Sequence, residues 1–525
     1  MKSFSSPIRP IALMAAVAFF MFGMSLAAQQ PARPRAAQPA AQPAAQPAAP
    51  SAVPGAPAPS TQKPELQAAY NQVVEKFRKQ DLNGALEDLK KIYATNPETA
   101  PPRIVMTELF ARANVPQAVP ISLEMAIVET PNDPEAYLLL AELQLAQRNW
   151  TAADLLIGRA EALIPQYTAN AERQKNLHLK ALQDRINLCN GRQLWDQKQQ
   201  LLEQLIKLQG DSALLTREMA VTLFQQKQDA RARELFAKAD GMPNPAATNE
   251  EGAERKPLPA DAMMAQLYLG RGDLEMANKS LDAALKAFPK SADVLSLAVL
   301  MKLNENKVQE AQKMAEQLYA ADPNADNTKR LIAVVALHRG IDKDPASGQE
   351  VSYYSVAEKY FQELVLKSPG DSSAVDGLAL ALCEGTIEKT EKVDGVDKKV
   401  TVPDPAKLQR ALEYATGNVQ KNQNNREYLS TLGWVLFKAG QLQQAAQILQ
   451  QSYADGQVGQ NAAYYLANLQ LAAGRTPENT EAARRLLSAA IEMKQPFLKR
   501  RPAEALLQSL PPAPPVPPAA PAATR

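Results

Sequence analysis

Histidine and cysteine are nearly missing from this 525-residue chain, which has two of each: His178, His338, Cys189 and Cys383. So few imidazoles leave most histidine-based zinc sites, and a Ser–His–Asp hydrolase, without material. Neither His178 nor His338 has a second His or a Cys at metal-ligand spacing, so both read as structural. Cys189 and Cys383, as only two cysteines, are not a disulfide framework and read as small buried hydrophobes. No His-Glu-x-x-His, Gly-x-Ser-x-Gly or P-loop string occurs. An excess of one charge is also lacking, since 58 Lys and Arg face 56 Asp and Glu. Residues 1–64 hold Lys2, Arg9, Arg33, Arg35 and Lys63 but no acid, so the rest is slightly acidic. That balance does not fit a nucleic-acid binder, which shows a strongly basic surface.

The two ends differ from the middle. Lys2 and Arg9 precede an apolar run from Ile11 to Met24, and Ser25-Leu26-Ala27 follows with small residues at its first and third places. Residues 1–28 therefore read as an export signal peptide; an uncleaved anchor is the alternative, although a spanning helix wants ~20 apolar residues. Residues 29–64 read as a disordered linker with ten prolines between Pro31 and Pro64. Proline fixes φ and donates no hydrogen bond, so this stretch favours extended polyproline II. At ~3.1 Å per residue it could span about 110 Å. Residues 511–525 hold seven prolines and read as a disordered tail.

The middle is rich in helix formers and self-similar. Ala265 is followed by Ala277, Ala284 and Pro289. The same ladder runs Ala141, Ala153, Ala160, Pro165, then Ala220, Ala232, Ala239, and again Gly433, Ala445, Ser452. Its second half recurs as Ala311–Leu318–Pro323 and Ala357–Leu364–Pro369. Intervals are about 34 residues or longer, so each departure is an insertion. Small residues let two helices approach across a short turn, positions seven apart share a helical face, and proline stops the second helix.

This pattern resembles the tetratricopeptide repeat (TPR) family. Leu429-x-x-Leu432-Gly433-x-x-Leu436 matches its first helix with Leu in the aromatic places. Tyr137, Leu140 and Ala141 match it too, as do Ala265 and Tyr268. The resemblance implies an all-α, right-handed superhelical solenoid of about eleven helix pairs over residues 65–510. The units anchored at Lys198, Ala411 and Ala483 fit least, residues 166–210 fit poorly, and Pro502–Leu510 reads as an end cap. Inserts are expected at 241–259, 341–354 and 385–405. Within the third, Asp394-Gly395 between alternating segments predicts a small β-hairpin over 387–402, with Lys392 opposite Asp397 and Glu391 opposite Lys398.

First helices line the concave surface in this family. The corresponding stripe here holds Leu138, Glu142 and Leu145; Arg217, Val221 and Phe224; Gln266 and Leu269; Leu300 and Leu303; and Ser430, Trp434 and Phe437. The stripe lacks the Lys/Asn clamp with which some members hold a C-terminal carboxylate. Arg217, Phe224, Gln266, Ser430, Trp434 and Phe437 are the candidate partner-binding residues, because an apolar groove with Trp and Phe suits a peptide with hydrophobic anchors. Burial between successive helices is the competing reading of the same stripe. Trp150 and Trp195 read as inter-helix packing, and Lys499-Arg500-Arg501 as a solvated basic end.

The expected function is a non-enzymatic scaffold or adaptor of the cell envelope, periplasmic or surface-exposed, that binds a protein or peptide. No cofactor, metal or nucleic acid is expected. Alternatives are a structural spacer, or an accessory subunit of envelope glycan-processing or export machinery. An enzyme acting on glycans would need a carboxylate pair, and the sequence singles none out.

Overall fold

The computed structural model describes residues 64–243, 247–248, 254–255, 257–343, 349–393, 396–453, 459–493 and 497–511. The expected signal peptide and the linker up to Lys63 lie outside these residues, as does the tail beyond Pro511. The chain divides into two compact units, residues 1–256 and 257–525.

Among the described residues the first unit holds ten α-helices in five pairs: α1 Pro64–Arg78 with α2 Leu82–Thr95, α3 Pro102–Arg112 with α4 Ala118–Glu129, α5 Pro134–Ala146 with α6 Trp150–Leu163, α7 Ala171–Gly191 with α8 Trp195–Gln209, and α9 Ala213–Gln225 with α10 Asp229–Asp240. The second holds six pairs and one last helix. The pairs are α11 Ala260–Arg271 with α12 Leu274–Ala287, α13 Ala292–Asn304 with α14 Val308–Ala321, α15 Asp326–Arg339 with α16 Tyr354–Lys367, α17 Ser372–Cys383 with α18 Pro405–Lys421, α19 Arg426–Lys438 with α20 Leu442–Gln451, and α21 Gln460–Ala472 with α22 Pro477–Glu492. Helix α23, Arg500–Ser509, comes last. Eleven pairs is the number the repeat arithmetic predicts. The poor fit of 166–210 has its cause in α7, whose 21 residues exceed a repeat's usual first helix.

The repeat's small residues are where helices meet. Ala141, Ala153, Ala160, Ala220, Ala232, Ala265, Ala277, Ala284, Ala311, Ala357 and Ala445 are fully buried. Gly433 is fixed by the same logic: a Cβ there would stand 2.5 Å from Cγ of Leu449 on the paired helix. Pro289, Pro323 and Pro369 lie just past the ends of α12, α14 and α16, whereas Pro165 sits inside a single 3-10 turn, Ile164–Gln166. Lys198 takes an anchor position held elsewhere by alanine. It is fully buried, 2.5 Å from Glu218 and bonded to the Asn190 side chain, which explains why its unit is weak as a pattern.

Starts and turns follow local rules. Asp133, Asn170, Ser212, Asp273, Ser291, Asp371, Asp404, Asn425 and Thr476 each accept a backbone N–H as an N-cap. Turns within pairs repeat one geometry. A residue with φ near +60 to +80° follows the first helix: Gln80, Asn114, Arg148, Gln193, Lys227, Gly272, Asn306 and Gly440. The next residue's N–H reaches five residues back, as in Asn149 to Gln144 and Gln441 to Leu436, closing a Schellman motif. Only two of these eight left-handed positions are glycine.

Each insert forms a two-stranded antiparallel sheet: β1 Ala247–Thr248 with β2 Glu254–Arg255, β3 Ile341–Lys343 with β4 Glu350–Ser352, and β5 Thr386–Val393 with β6 Val396–Pro403. The third is the expected hairpin in the expected register, Ile387 opposite Val402, Glu391 opposite Lys398 and Lys392 opposite Asp397. Its Asp394-Gly395 turn lies outside the described residues. The other two strand pairs were not legible in the sequence.

Candidate functional site

The six candidate partner-binding residues separate by burial. Phe224 is 2% exposed, Trp434 4% and Ser430 7%, whereas Arg217, Gln266 and Phe437 are half-buried. The first three are buried, as the competing core reading expects. Leu138 and Leu303 are buried likewise. The Ser430 hydroxyl turns back to the carbonyl of Glu427, and Arg217 pairs with Asp240 on the second helix of its own pair. Trp150 packs against the helix neighbour as read, its ring filling the space above Gly191.

The structure brings Trp434 and Phe437 into a larger assembly. The Trp434 ring stacks on Phe437 at 5.1 Å and on Tyr465 of α21 at 4.6 Å, with Tyr464 tilted at 5.6 Å. Its indole Nε1 donates to Glu384 Oε1 at 2.9 Å. Glu384 caps the C-terminus of α17, and Lys438 donates to its other oxygen at 2.9 Å. Lys499 enters this group from beyond the last helix pair. Its Nζ donates to Glu384 Oε1 at 2.6 Å and to the Tyr354 hydroxyl at 3.1 Å, and lies 5.1 Å and 5.8 Å from the ring centroids of Tyr354 and Trp434. Its backbone N–H reaches the Asn461 side chain.

This corrects the solvated basic end. Lys499 is 5% exposed, Arg501 pairs with Asp342 at 3.0 Å, and Arg500 pairs with Glu504 in its own helix. The electrostatics follow from that burial. Burial alone would raise the Glu384 carboxyl, but Lys499 and Lys438 hold it down at about 2. The Lys499 ammonium is held well above its ordinary value by Glu384 and the tyrosines. No single residue type in the sequence marks this cradle. Tyr354, Glu384, Trp434, Asn461 and Lys499 come from five separate stretches, so only helix stacking assembles it.

Elsewhere the chemistry is structural. Arg173 bridges Asp133 and Glu135, and Arg185 bridges Asp154 and Glu161. Burial pushes Asp184 up to about 8 and the His338 imidazole down to about 4. Cys189 and Cys383 are free and buried. Among the described residues no group of three or more His, Cys, Asp or Glu is placed to hold a metal ion.

A model of the tetratricopeptide repeat matches residues 430–496, from the middle of α19 through α22. Residues 430–496 are thus a tetratricopeptide-repeat region. No curated protein matches the chain. Three similar solved structures illustrate the range. A tetratricopeptide repeat protein from Parabacteroides merdae is 13% identical, covering 56% of this chain and 97% of its own at a TM-score of 0.38. Pseudomonas aeruginosa pilF is 17% identical, covering 47% and 94% at 0.29. Yeast Tom70 is 13% identical, covering 85% and 95% at 0.30. Tetratricopeptide repeats are an architecture for protein–protein interaction, and here the first helices α19 and α21 supply Trp434 and Tyr465 to the cradle while α16 supplies Tyr354.

Proposed function

We propose that this chain is a non-enzymatic scaffold or adaptor that binds a protein or peptide through the first-helix surface of its second unit. The observation that supports this reading most is the cradle itself. Aromatic rings from α19 and α21 and a buried carboxylate beside α17 converge on a lysine brought from outside those helices. Stacked rings around a desolvated ion pair are the composition of interaction hot spots. Export to the cell envelope belongs to the same proposal and is supported by the sequence of residues 1–28 alone. Fractionation followed by N-terminal sequencing of the mature chain checks that part; a cytoplasmic chain retaining Met1 would count against it.

Site-specific photo-crosslinking in cells tests the interaction surface. One photoreactive residue replaces half-buried Phe437; a second replaces Leu366, an exposed residue on α16. The expected result is a discrete protein adduct from position 437 and none from 366. Adducts from 366 alone, or from neither position, would overturn this surface as the binding site.

A further inference from the structure

We infer that residues Phe497–Leu510 are a ligand held in cis: Lys499 fills a lysine-accepting cradle that a partner segment bearing an apolar-Lys-basic sequence takes over when it displaces them. The inference rests on the protein-interaction reading above and names the chemistry recognised.

Lysine is a costly residue to bury, because its ammonium loses its hydration and needs a charged partner in return. An end cap could close the array with apolar side chains alone. Here the second unit instead surrounds one ammonium with a full set of complements: the Glu384 carboxylate, the Tyr354 hydroxyl, and the faces of Tyr354 and Trp434. Carboxylate plus aromatic walls is how a desolvated ammonium is recognised.

The cradle does not depend on its occupant. With Lys499 removed, Glu384 keeps the Lys438 ammonium on Oε2 and the Trp434 indole N–H on Oε1. Trp434 keeps its stacking on Phe437 and Tyr465. The carboxylate is therefore already positioned and neutralised, which is the condition for a site that can be vacated and refilled.

The occupant's deep contacts come from Phe497, Lys499, Ala503 and Leu510, with Leu498, Leu506 and Leu507 packed half-buried against the core. Arg500 pairs with Glu504 in its own helix and reaches the Ile491 carbonyl at 3.3 Å, and half-exposed Arg501 reaches Asp342 beside α15. The sequence read by the surface is thus Phe497-Leu498-Lys499-Arg500-Arg501: apolar residues, the recognised lysine, and a base two positions on for Asp342. A displacing partner carries the same order.

The test uses the full chain. The probe is a labelled synthetic peptide of residues 494–504, with a second peptide carrying Ala in place of the central lysine. Fluorescence anisotropy would be measured on the unaltered chain, on Lys499→Ala, and on Lys499→Ala with Glu384→Gln. The inference expects Lys499→Ala to bind the probe at least tenfold tighter than the unaltered chain. It also expects the alanine peptide, and the double variant, to lose at least tenfold. Hydrogen exchange on the unaltered chain gives an answer that needs no variant: amides of α23 should exchange at least tenfold faster than those of α22. Exchange as slow as α22 would make the segment a permanent cap and overturn the inference. So would absence of probe binding to a Lys499→Ala chain that keeps the helicity of the unaltered chain. A fixed cap together with a partner crosslinked at position 437 would sink this inference and leave the interaction reading standing. Probe binding without any crosslinked partner would keep the cradle's recognition of lysine and overturn both the interaction reading and displacement by a partner.

Discussion

Glu384 Oε1 accepts a hydrogen bond from the Lys499 ammonium at 2.6 Å, although 115 residues separate them in the chain. The contact ties the segment after the last helix pair to the fourth pair of the second unit, and the bond from Lys499 to the Tyr354 hydroxyl ties it to the third. Lys438 on the other oxygen makes the carboxylate the centre of two ion pairs, of which the Lys499 pair is buried and the Lys438 ammonium remains partly exposed.

The first prediction concerns acid. The Glu384 carboxyl titrates at about 2 in the folded chain, against 4.5 for the free group. A depressed folded value means its stabilisation is complete above about 4.5 and disappears as pH falls toward about 2. Glu384→Gln should lower the melting midpoint at pH 7 by several degrees, since breaking a buried pair by removing one partner costs about 3–5 kcal/mol. It should also flatten the loss between pH 4.5 and 2. Thermal melts of both chains across that range check this, and parallel acid curves would refute it.

The second concerns alkali and the first unit. Asp184 is 2% exposed between Ala181 and Leu188 on the buried face of α7, and its Oδ2 has no hydrogen-bond partner. Desolvation raises it to about 8, opposed by Lys180 and reinforced by Glu142. A raised carboxyl is protonated in the fold and ionised in the unfolded chain, so stability falls as pH rises from about 4 to about 8. Asp184→Asn keeps the shape and removes the titration. Its melting midpoint should exceed that of the unaltered chain at pH 8 and approach it near pH 4. No pH-dependent difference would show that Asp184 is not the group responsible.

The third concerns the turns within pairs. Exposed Lys227 holds φ at +63°, a conformation that costs a residue with a Cβ roughly 1 kcal/mol. Lys227→Gly should therefore stabilise the first unit by about 0.5–1 kcal/mol, even though glycine usually destabilises through unfolded-state entropy. Gly272→Ala, at φ +81° with open space around the added methyl, should destabilise the second unit by a similar amount. Urea unfolding midpoints of the two variants should move in opposite directions; a shared direction would remove the backbone explanation.

Much of this architecture was open to reading because it is periodic. Ala277, Ala284 and Pro289 mean the same thing wherever they recur, so eleven pairs and the register of the 387–402 hairpin follow from spacing. What a single side chain does between helices is not periodic. Trp434 and Phe437 stand three apart on one helix, yet one is buried and the other half-buried, and no spacing distinguishes them. Residue type marks few of the left-handed turns for a related reason: six of the eight use Gln, Asn, Arg or Lys, held there by the flanking helices.

Local sequence thus determined where helices begin, end and pair, because capping, proline and the close approach of small residues act over a few residues and repeat. The tertiary structure alone decided the fate of Lys499, Glu384 and Tyr354. Their meeting depends on how successive helix pairs stack and on where the final segment returns. The charge of each was visible in the sequence; whether it would be hydrated or enclosed was set by distances that no one stretch of chain contains.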